Sequence, residues 1–280
     1  MKICDLHTHS TASDGADSPE EIIDLAIKAG LNAICLTDHN NVEGLKRFFD
    51  AAKGKDIIAI GGCEFSTDYF GTELHLIGIF VKEDKFDQIR EYVDSFAKAK
   101  VQANIDTIQR MKDAGMPVDP DEFKKTIRSA VTNRMHIARY LMKKGIVITR
   151  EQAFKEYLQD GGPYYYSSDK PDFIKTIDFI HSVGGVAVWA HPLFHVTKNK
   201  CKEILKNSPQ LDGMECYYTT YSEEETKWSV KTCEKFGIVA SGGSDYHGIN
   251  KPDTFLAIGH GNLIIPFSCY EKLLERKNNY

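Results

Sequence analysis

Several things are missing from this 280-residue sequence, and each absence narrows the field. No apolar run approaches the ~18 residues of a membrane-spanning helix, and Met1-Lys2-Ile3-Cys4-Asp5-Leu6-His7 has no apolar signal core. A soluble cytoplasmic protein is the expectation. The seven cysteines include no C-x-x-C pair, and their odd number argues against a disulfide framework. Cys4, Cys35 and Cys63 sit in apolar strand-like runs as small hydrophobes. There is no G-x-x-x-x-G-K-[ST] loop, so nucleotide-driven chemistry of the P-loop kind is unsupported. A large excess of charge is missing too: 35 Lys and Arg against 40 Asp and Glu leave a net charge of -5. Nothing global draws the chain to nucleic acid or anionic membrane, so a phosphate-bearing substrate must be held by local cations or by metal. No low-complexity stretch or solenoid repeat occurs. What remains, 42% hydrophobic and 27% charged, is ordinary for a globular chain with one large domain or one domain carrying an insertion.

A unit recurs along the chain: a short apolar or β-branched run, a polar turn, a helical pattern. "KICDLH" leads to a helix announced by Ser18 as N-cap, Pro19 at the first helical position and Glu21 closing a capping box, and ending at Gly30. "NAICLTDH" (32–39) is the next buried strand, a helix follows from about Val42 to Ala52, and "DIIAIGGCEF" (56–65) is a third strand. This alternation predicts parallel strands covered by helices. After "ELHLIGIFV" (73–81) the rhythm breaks. Residues from about 84 to 183 read as helix after helix, with a turn at Met116-Pro117 and a second capping box at Thr149 and Gln152. Strands resume with "GGVAVWAHP" (184–192), "GMECYY" (213–218), "IVASGGSDYH" (238–247) and "TFLAIGHG" (254–261). The division is therefore a barrel or sheet over 1–82 and 184–280, with a helical insertion over 83–183.

The strand ends carry the chemistry. The first run ends in His7 and His9 with Asp14 in the turn beyond, the second in Asp38-His39, the third at Glu64, and the fourth carries His75. In the C-terminal half His191 follows "GGVAVWA", and Asp245 and His247 follow "IVASGGS". In a parallel barrel or sheet the C-terminal strand ends open onto one face, so residues distant in sequence converge there. Each residue has a plainer reading: His75 could alternate in a half-buried strand, Asp14 suits a Ser-Asp-Gly turn, and Asp38 could cap the helix near Val42, although it lies too far away to fit well. Independent local roles do not explain why all of them fall at the same phase of successive units. A multi-metal site does, because imidazole and carboxylate suit Zn, Fe or Mn, and a carboxylate such as Glu64 can bridge two ions ~3.5 to 4 Å apart. His181 in mid-helix reads as structural and His260 as a surface residue; His136 and His195 stay open.

The ordered set H-x-H with S-D-G, T-D-H, an isolated Glu, a strand His, A-H-P and S-D-x-H resembles the polymerase and histidinol phosphatase (PHP) superfamily of metal-dependent phosphoesterases. The resemblance covers nearly the whole chain. It implies an α/β fold, a distorted (β/α)7 barrel, with two or three divalent ions (Mn, Fe or Zn) in a cleft covered by the helical insertion. Carried over, His7, His9, Glu64 and Asp245 would hold one ion, Glu64, His75 and His191 a second, and Asp14, His39 and His247 a third. Asp38 would orient a ligand histidine from behind. The insertion, with "NRMHIARYLMKKGIV" and "AFKEYLQDGGPYYY", is similar to that of the stand-alone nucleotide phosphatase branch, which makes Arg134 the phosphate-binding cation at the head of a helix. That branch often has an arginine shortly after A-H-P. Here Leu193 and Phe194 follow, leaving His195 or Lys198 as substitutes and substrate choice open. The tyrosines of "GGPYYYSS" and "ECYYTTY" could stack on a base or pack between insertion and barrel.

The implied reaction is hydrolysis of a nucleotide phosphate monoester, such as a nucleoside 3',5'-bisphosphate or a mononucleotide. A hydroxide bridging the metals would attack phosphorus, and His136 or His195 could protonate the leaving oxygen. The expected partner is a small phosphorylated substrate, a nucleotide or short oligonucleotide, with no membrane and no stable nucleic-acid complex. A 5'-3' exonuclease on short oligoribonucleotides is the nearest alternative, with "FKKTIRS" and "RYLMKKG" as a basic lip. A histidinol-phosphate phosphatase would use the same rim, but the nucleotide-like insertion argues against it. An amide hydrolase on a similar barrel would usually bridge its metals with a lysine, where this chain offers Glu64. A non-catalytic metal-binding module should have lost ligands, and no loss is evident.

Overall fold

The computed structural model describes residues 2–127, 134–159, 162–165 and 170–279. Strands β1 (Cys4–Thr8), β2 (Ala33–Leu36) and β3 (Ile58–Tyr69) pair in parallel in that order. Helices α1 (Pro19–Lys28) and α2 (Leu45–Ala52) connect them. α1 begins as its sequence predicts. The Ser18 side chain accepts from Glu21 N, and the Glu21 carboxylate accepts from Ser18 N at 2.7 Å. Ile22, Ile23 and Ala26 on one face of α1 are buried, the pattern of an amphipathic covering helix.

Strand β4 (Thr72–Ile79) departs from the parallel expectation. β3 continues past Glu64 to Tyr69, and β4 returns antiparallel with Ser66 opposite His75. The cause lies in the two-residue turn: Phe70 and Gly71 both have positive φ (48° and 83°), as a tight hairpin requires. A parallel pair would have needed a crossover of a dozen residues or more. Helices α3 (Phe86–Asp113), α4 (Pro120–Thr126), α5 (Arg134–Lys143), α6 (Arg150–Glu156) and α7 (Phe173–Ser182) follow without an intervening strand among the described residues. Thr149 caps α6 by accepting from Gln152 N at 3.1 Å, while the Gln152 side chain accepts from Ile148 N rather than from the cap residue's own N–H.

Strand β5 (Val186–Ala190) pairs antiparallel with β4. β6 (Gly213–Tyr218) and β7 (Val239–Gly243) then resume parallel pairing, reached through α8 (Pro192–His195), α9 (Lys198–Asn207) and α10 (Glu223–Phe236). α11 (Ser268–Asn278) ends the chain's regular structure. The sheet order is β1 to β7 in sequence, and the far edge comes back to the first strand. Asp245 N donates to the His7 carbonyl and His9 N to the Tyr246 carbonyl, both at 2.9 Å, so the seven strands form a nearly closed barrel. Leu6, Ile77, Val188 and Leu273 belong to its buried core.

The run 254–261 is not a strand. Ala257, Gly259 and Gly261 have φ of 71°, 53° and 103°, and Phe255 and Gly259 exchange both backbone hydrogen bonds at 2.8 Å. The segment folds back on itself instead of extending, because three left-handed residues in five cannot form a ladder.

Two compact units divide the chain, Met1–Arg90 with Pro171–Tyr280, and Glu91–Lys170. α7 belongs to the first, where Phe173 packs edge-on against Trp189 and Phe179 against Phe65. The second has its own core, including Ile108, Phe123, Ile137 and Leu141. Among the described residues no helix is long and apolar enough to cross a membrane.

The barrel seam depends on a residue without a side chain. A Cβ on Gly243 would overlap the Cβ of His7 and lie 2.8 Å from its backbone nitrogen. Gly243→Ala should therefore lower stability by about 1–3 kcal/mol or more. Urea denaturation of the metal-free protein, which removes any contribution from bound ions, measures it.

Candidate metal centre

Each sequence-predicted ligand is placed by a strand or by the turn after it. His7 lies in β1 and His9 just beyond, two residues apart and so on one side of the extended chain. Glu64 sits in the middle of β3 and His75 within β4, on the two arms of the hairpin. His191 and Asp245 follow β5 and β7 with φ of 31° and 55°, left-handed turns that redirect the chain at the strand ends. Such conformations are uncommon for residues with a Cβ and recur at functional sites.

Glu64 is completely buried. Its Oε2 lies 3.2 Å from both His7 Nε2 and His9 Nε2 and 2.9 Å from His39 Nδ1. Its Oε1 lies 2.8 Å from His75 Nδ1 and 3.0 Å from His191 Nε2. Asp245 Oδ1 is 3.6 Å from His7 Nε2 and 3.3 Å from His9 Nε2, and those two nitrogens are 3.0 Å apart. Asp14 completes the far end, with Oδ1 3.2 Å from His247 Nε2 and Oδ2 3.8 Å from His39 Nε2. All nine predicted ligands thus meet in one place. A cavity of about 260 Å³ opens beside them, lined by His39, Glu64, His75, His191 and Asp245 among others.

Hydrogen bonding does not account for this crowding. His9 Nδ1, His39 Nδ1, His191 Nδ1 and Glu64 Oε2 are buried without an aligned hydrogen-bond partner. Buried polar atoms are nearly always satisfied, and a run of exceptions in one spot calls for an ion. The donor set fits. Three or four ligand atoms lie within 4.8 Å of one another in each of the groups His7, His9, Asp245; His7, Glu64, His191; His39, Glu64, His75; and His9, Asp14, His39, His247. Imidazole mixed with carboxylate suits Zn, Fe or Mn.

A second tier of residues holds this first one, and the sequence reading missed most of it. Glu215 on β6 accepts at Oε1 from the His7 imidazole (Nδ1, 3.0 Å) and at Oε2 from His191 N (2.6 Å), joining two ligands from opposite sides of the barrel. The signal for it was a lone acid in an apolar buried strand. Asp245 Oδ2 accepts from Tyr218 OH at 2.8 Å and Lys251 Nζ at 2.6 Å. The carboxylate of Asp5 accepts from Ser244 N and Ala257 N, both at 2.9 Å, and so fixes the segment that carries Asp245. Asp38 does not bond a histidine. It accepts from Ser10 N (2.8 Å), Ser10 Oγ (2.7 Å) and Ser13 Oγ (2.6 Å), ordering the turn between His9 and Asp14.

The remaining candidates are distributed. Arg134 and His136 head α5 in the second compact unit. The Arg134 guanidinium lies 5.1 Å from the Tyr165 ring centroid and 5.7 Å from that of Phe154. His195 ends α8 beside His75 and His191, with ring centroids 5.3 and 5.2 Å away. Lys198 Nζ lies over the Trp228 ring. Tyr218 and Tyr221 hydrogen-bond Asp245 and Leu193 N. His181 pairs with Asp212 at 2.7 Å, a structural role. Tyr166, Asn133 and Arg128, named in the insertion motifs, lie outside the described residues.

Electrostatics follow the geometry of the metal-free site. Burial works against charge on every group, but neighbours override it for most. Hydrogen bonds to Asp245 and Glu64 lift His9 to about 9, and Glu64 lifts His75 to about 9. Glu64, Asp14 and Asp245 are held well below the usual carboxylate range, Glu64 and Asp14 by the surrounding imidazoles and Asp245 by Lys251 first and then His7 and His247. Burial wins at His247, lowered to about 4, and at His195, lowered to about 3.

The PHP domain family matches residues 5–160 of the chain. A "5'-3' exoribonuclease" of Haemophilus influenzae is 31% identical over 250 residues, covering 87% of this chain and 89% of that protein. A "3',5'-nucleoside bisphosphate phosphatase" of Chromobacterium violaceum is 26% identical over 264 residues, covering 88% of each. A protein from Bifidobacterium adolescentis described as a metal-dependent phosphoesterase shares the fold, with a TM-score of 0.82 at 22% identity over 98% of this chain and 96% of that one.

These shifts give a pH signature. In the unfolded chain His9 and His75 return to about 6.5, so their pairing contributes fully below that pH and is lost as pH rises through about 9. The lowered carboxyls contribute above their unfolded range of about 4 to 4.5 and lose that contribution as pH falls through their depressed values. His191, His195 and His247, lowered by burial, act in the opposite sense and cost stability as pH falls below about 6.5. Metal-free protein should therefore be most stable at about pH 6.5, and thermal melts should decline on either side, from pH 7 to 9 and again from pH 6 to 4. Loading with Mn²⁺ or Zn²⁺ at pH 7 should release protons to an indicator dye, since ligands must be deprotonated.

Proposed function

The chain belongs to the PHP domain family and is a metal-dependent hydrolase of phosphoester bonds, and on that premise we propose that it removes a terminal phosphate from a nucleotide. The observation that carries the reading is the set of buried, unpartnered ring nitrogens around Glu64. His7, His9, Glu64 and Asp245 would hold one ion, Glu64, His75 and His191 a second, and Asp14, His39 and His247 a third; Mn, Fe and Zn suit these donors. Such ions, when bound, supply the positive charge and the acidified water that hydrolysis of an anionic ester needs.

The chain's own residues prepare the site. Glu215 fixes the tautomer and orientation of His7, because an imidazole donating at Nδ1 presents a lone pair at Nε2. Tyr218 and Lys251 occupy the outer oxygen of Asp245 and leave Oδ1 to face His7 and His9. Arg134 as phosphate cation rests on the family resemblance and its place at the head of α5, and His136 as proton donor to the leaving oxygen rests on its place two residues further on. Burial disfavours the imidazolium form of His195. A cytoplasmic setting fits the seven free cysteines.

The preferred substrate is a nucleoside 3',5'-bisphosphate or a mononucleotide, held transiently and without a membrane or a stable nucleic-acid complex. The second reading, stepwise 5'-3' hydrolysis of short oligoribonucleotides, is favoured by the relative at 31% identity.

Phosphate release in Mn²⁺ from bisphosphates, mononucleotides, histidinol phosphate and a short 5'-phosphorylated RNA separates them. Release from nucleotides only supports the first reading, and mononucleotides released from RNA the second. No turnover with any divalent ion removes both. Asp245→Asn should lower metal content and turnover together. Arg134→Ala should keep metal content and raise KM by about 10- to 100-fold, the worth of a hydrogen bond to a charged group; unchanged kinetics would remove Arg134 from substrate binding.

A further inference from the structure

We propose that His195 is a protein ligand in the centre, joining Glu64, His75 and His191 to make a nitrogen-rich site for zinc or a similar borderline ion. The inference rests on the metal-dependent reading above and deepens it. His75, His191 and His195 each offer a ligand atom, and these atoms lie within 4.8 Å of one another. The rings meet at interplanar angles of 50° and 43°, so they converge instead of stacking. His195 Nε2 is buried with no hydrogen-bond partner. A buried acceptor or donor left without a partner is costly, and a half-buried side chain beside an open cavity would escape that by turning outward unless something in the site rewarded its position.

The local sequence builds this arrangement. "HPLFH" places His191 at the left-handed N-cap and His195 at the end of a four-residue helix, and the tight turn brings the two rings to 5.2 Å between centroids. Unlike His75 and His191, each paired with Glu64, His195 has no carboxylate among its close partners to hold a proton on its ring. Three imidazoles facing one another have only lone pairs and ring protons to exchange, and a cation satisfies them together. With one carboxylate and three imidazoles this set favours zinc over magnesium or calcium, and four protein ligands close a tetrahedral site more completely than three.

The test uses full-length protein stripped with a chelator and titrated with Zn²⁺ against a chromophoric competitor, and separately with Co²⁺ followed in the visible. His195→Ala should weaken one equivalent by at least about tenfold and alter the cobalt spectrum. His195→Cys should restore that equivalent and add a sulfur-to-cobalt charge-transfer band. His195→Gln, closer in size, provides a second loss-of-ligand variant. Unchanged affinity and stoichiometry in both His195→Ala and His195→Gln overturns the proposal, as does a change confined to the pH profile of turnover, the mark of a proton donor. If the unsubstituted protein takes up no ion, the metal-dependent reading falls as well. If it loads normally and the variants load equally, only the assignment of His195 falls.

Discussion

One fully buried carboxylate, Glu64, is shared by five imidazoles, and the rest of the molecule is arranged around that contact. Taking an ionised carboxylate out of water is expensive, and the expense is recovered only if compensating groups are delivered together and in good geometry. Those groups come from β1, the turn after β2, β4 and the turn after β5. No single segment could bring them. A closed sheet can, because its strands fix one another's register and their ends converge.

The closure is itself secured by carboxylates one layer out. Asp5 pins the backbone at Ser244 and Ala257, and Glu215 ties His7 to the His191 backbone. Asp38 gathers the turn between His9 and Asp14. These are acidic residues in strands or strand ends, fully or almost fully buried, none of them in the first ring around the ions. Their work is to remove freedom from the ligands, which is what a preorganised site requires.

The legible part of the site was the part with a local rule. His7, His9, His39 and His191 stand at the ends of apolar runs, and Glu64 is a lone acid in one, so a repeated unit exposes them without knowledge of what lies opposite. The direction of β4 was hidden, because "ELHLIGIF" alternates identically whichever way it runs, and only the conformation of Phe70-Gly71 decides. "TFLAIGHG" has a strand's composition and fails through three left-handed residues, one of them the alanine at 257. Glu215, Lys251 and Tyr218 matter through partners as many as 208 residues away in sequence, for Glu215 with His7, and a single sequence carries no record of such pairs. Asp38 was rightly singled out and given the wrong partner, because a short acidic side chain binds whichever donors the adjacent turn presents.

The seam between β7 and β1 also makes the site depend on contacts between segments far apart in sequence. β1 carries His7 and leads to His9, and its outer edge is covered by residues distant in sequence: Asp245 and Tyr246, which pair with His7 and His9, and Ile265, whose carbonyl accepts from Cys4 N. The hairpin bearing Glu64 and His75 closes early over a short loop, and residues 91–170 have a core of their own to fold around meanwhile. Without residues 244–267 in place, Glu64 and His75 would sit in a sheet whose β1 edge is open to hydrogen bonding. An uncovered β1 edge would be open to wrong strand pairing, and the segment 244–267 removes that hazard in the same contacts that bring Asp245 to the imidazoles.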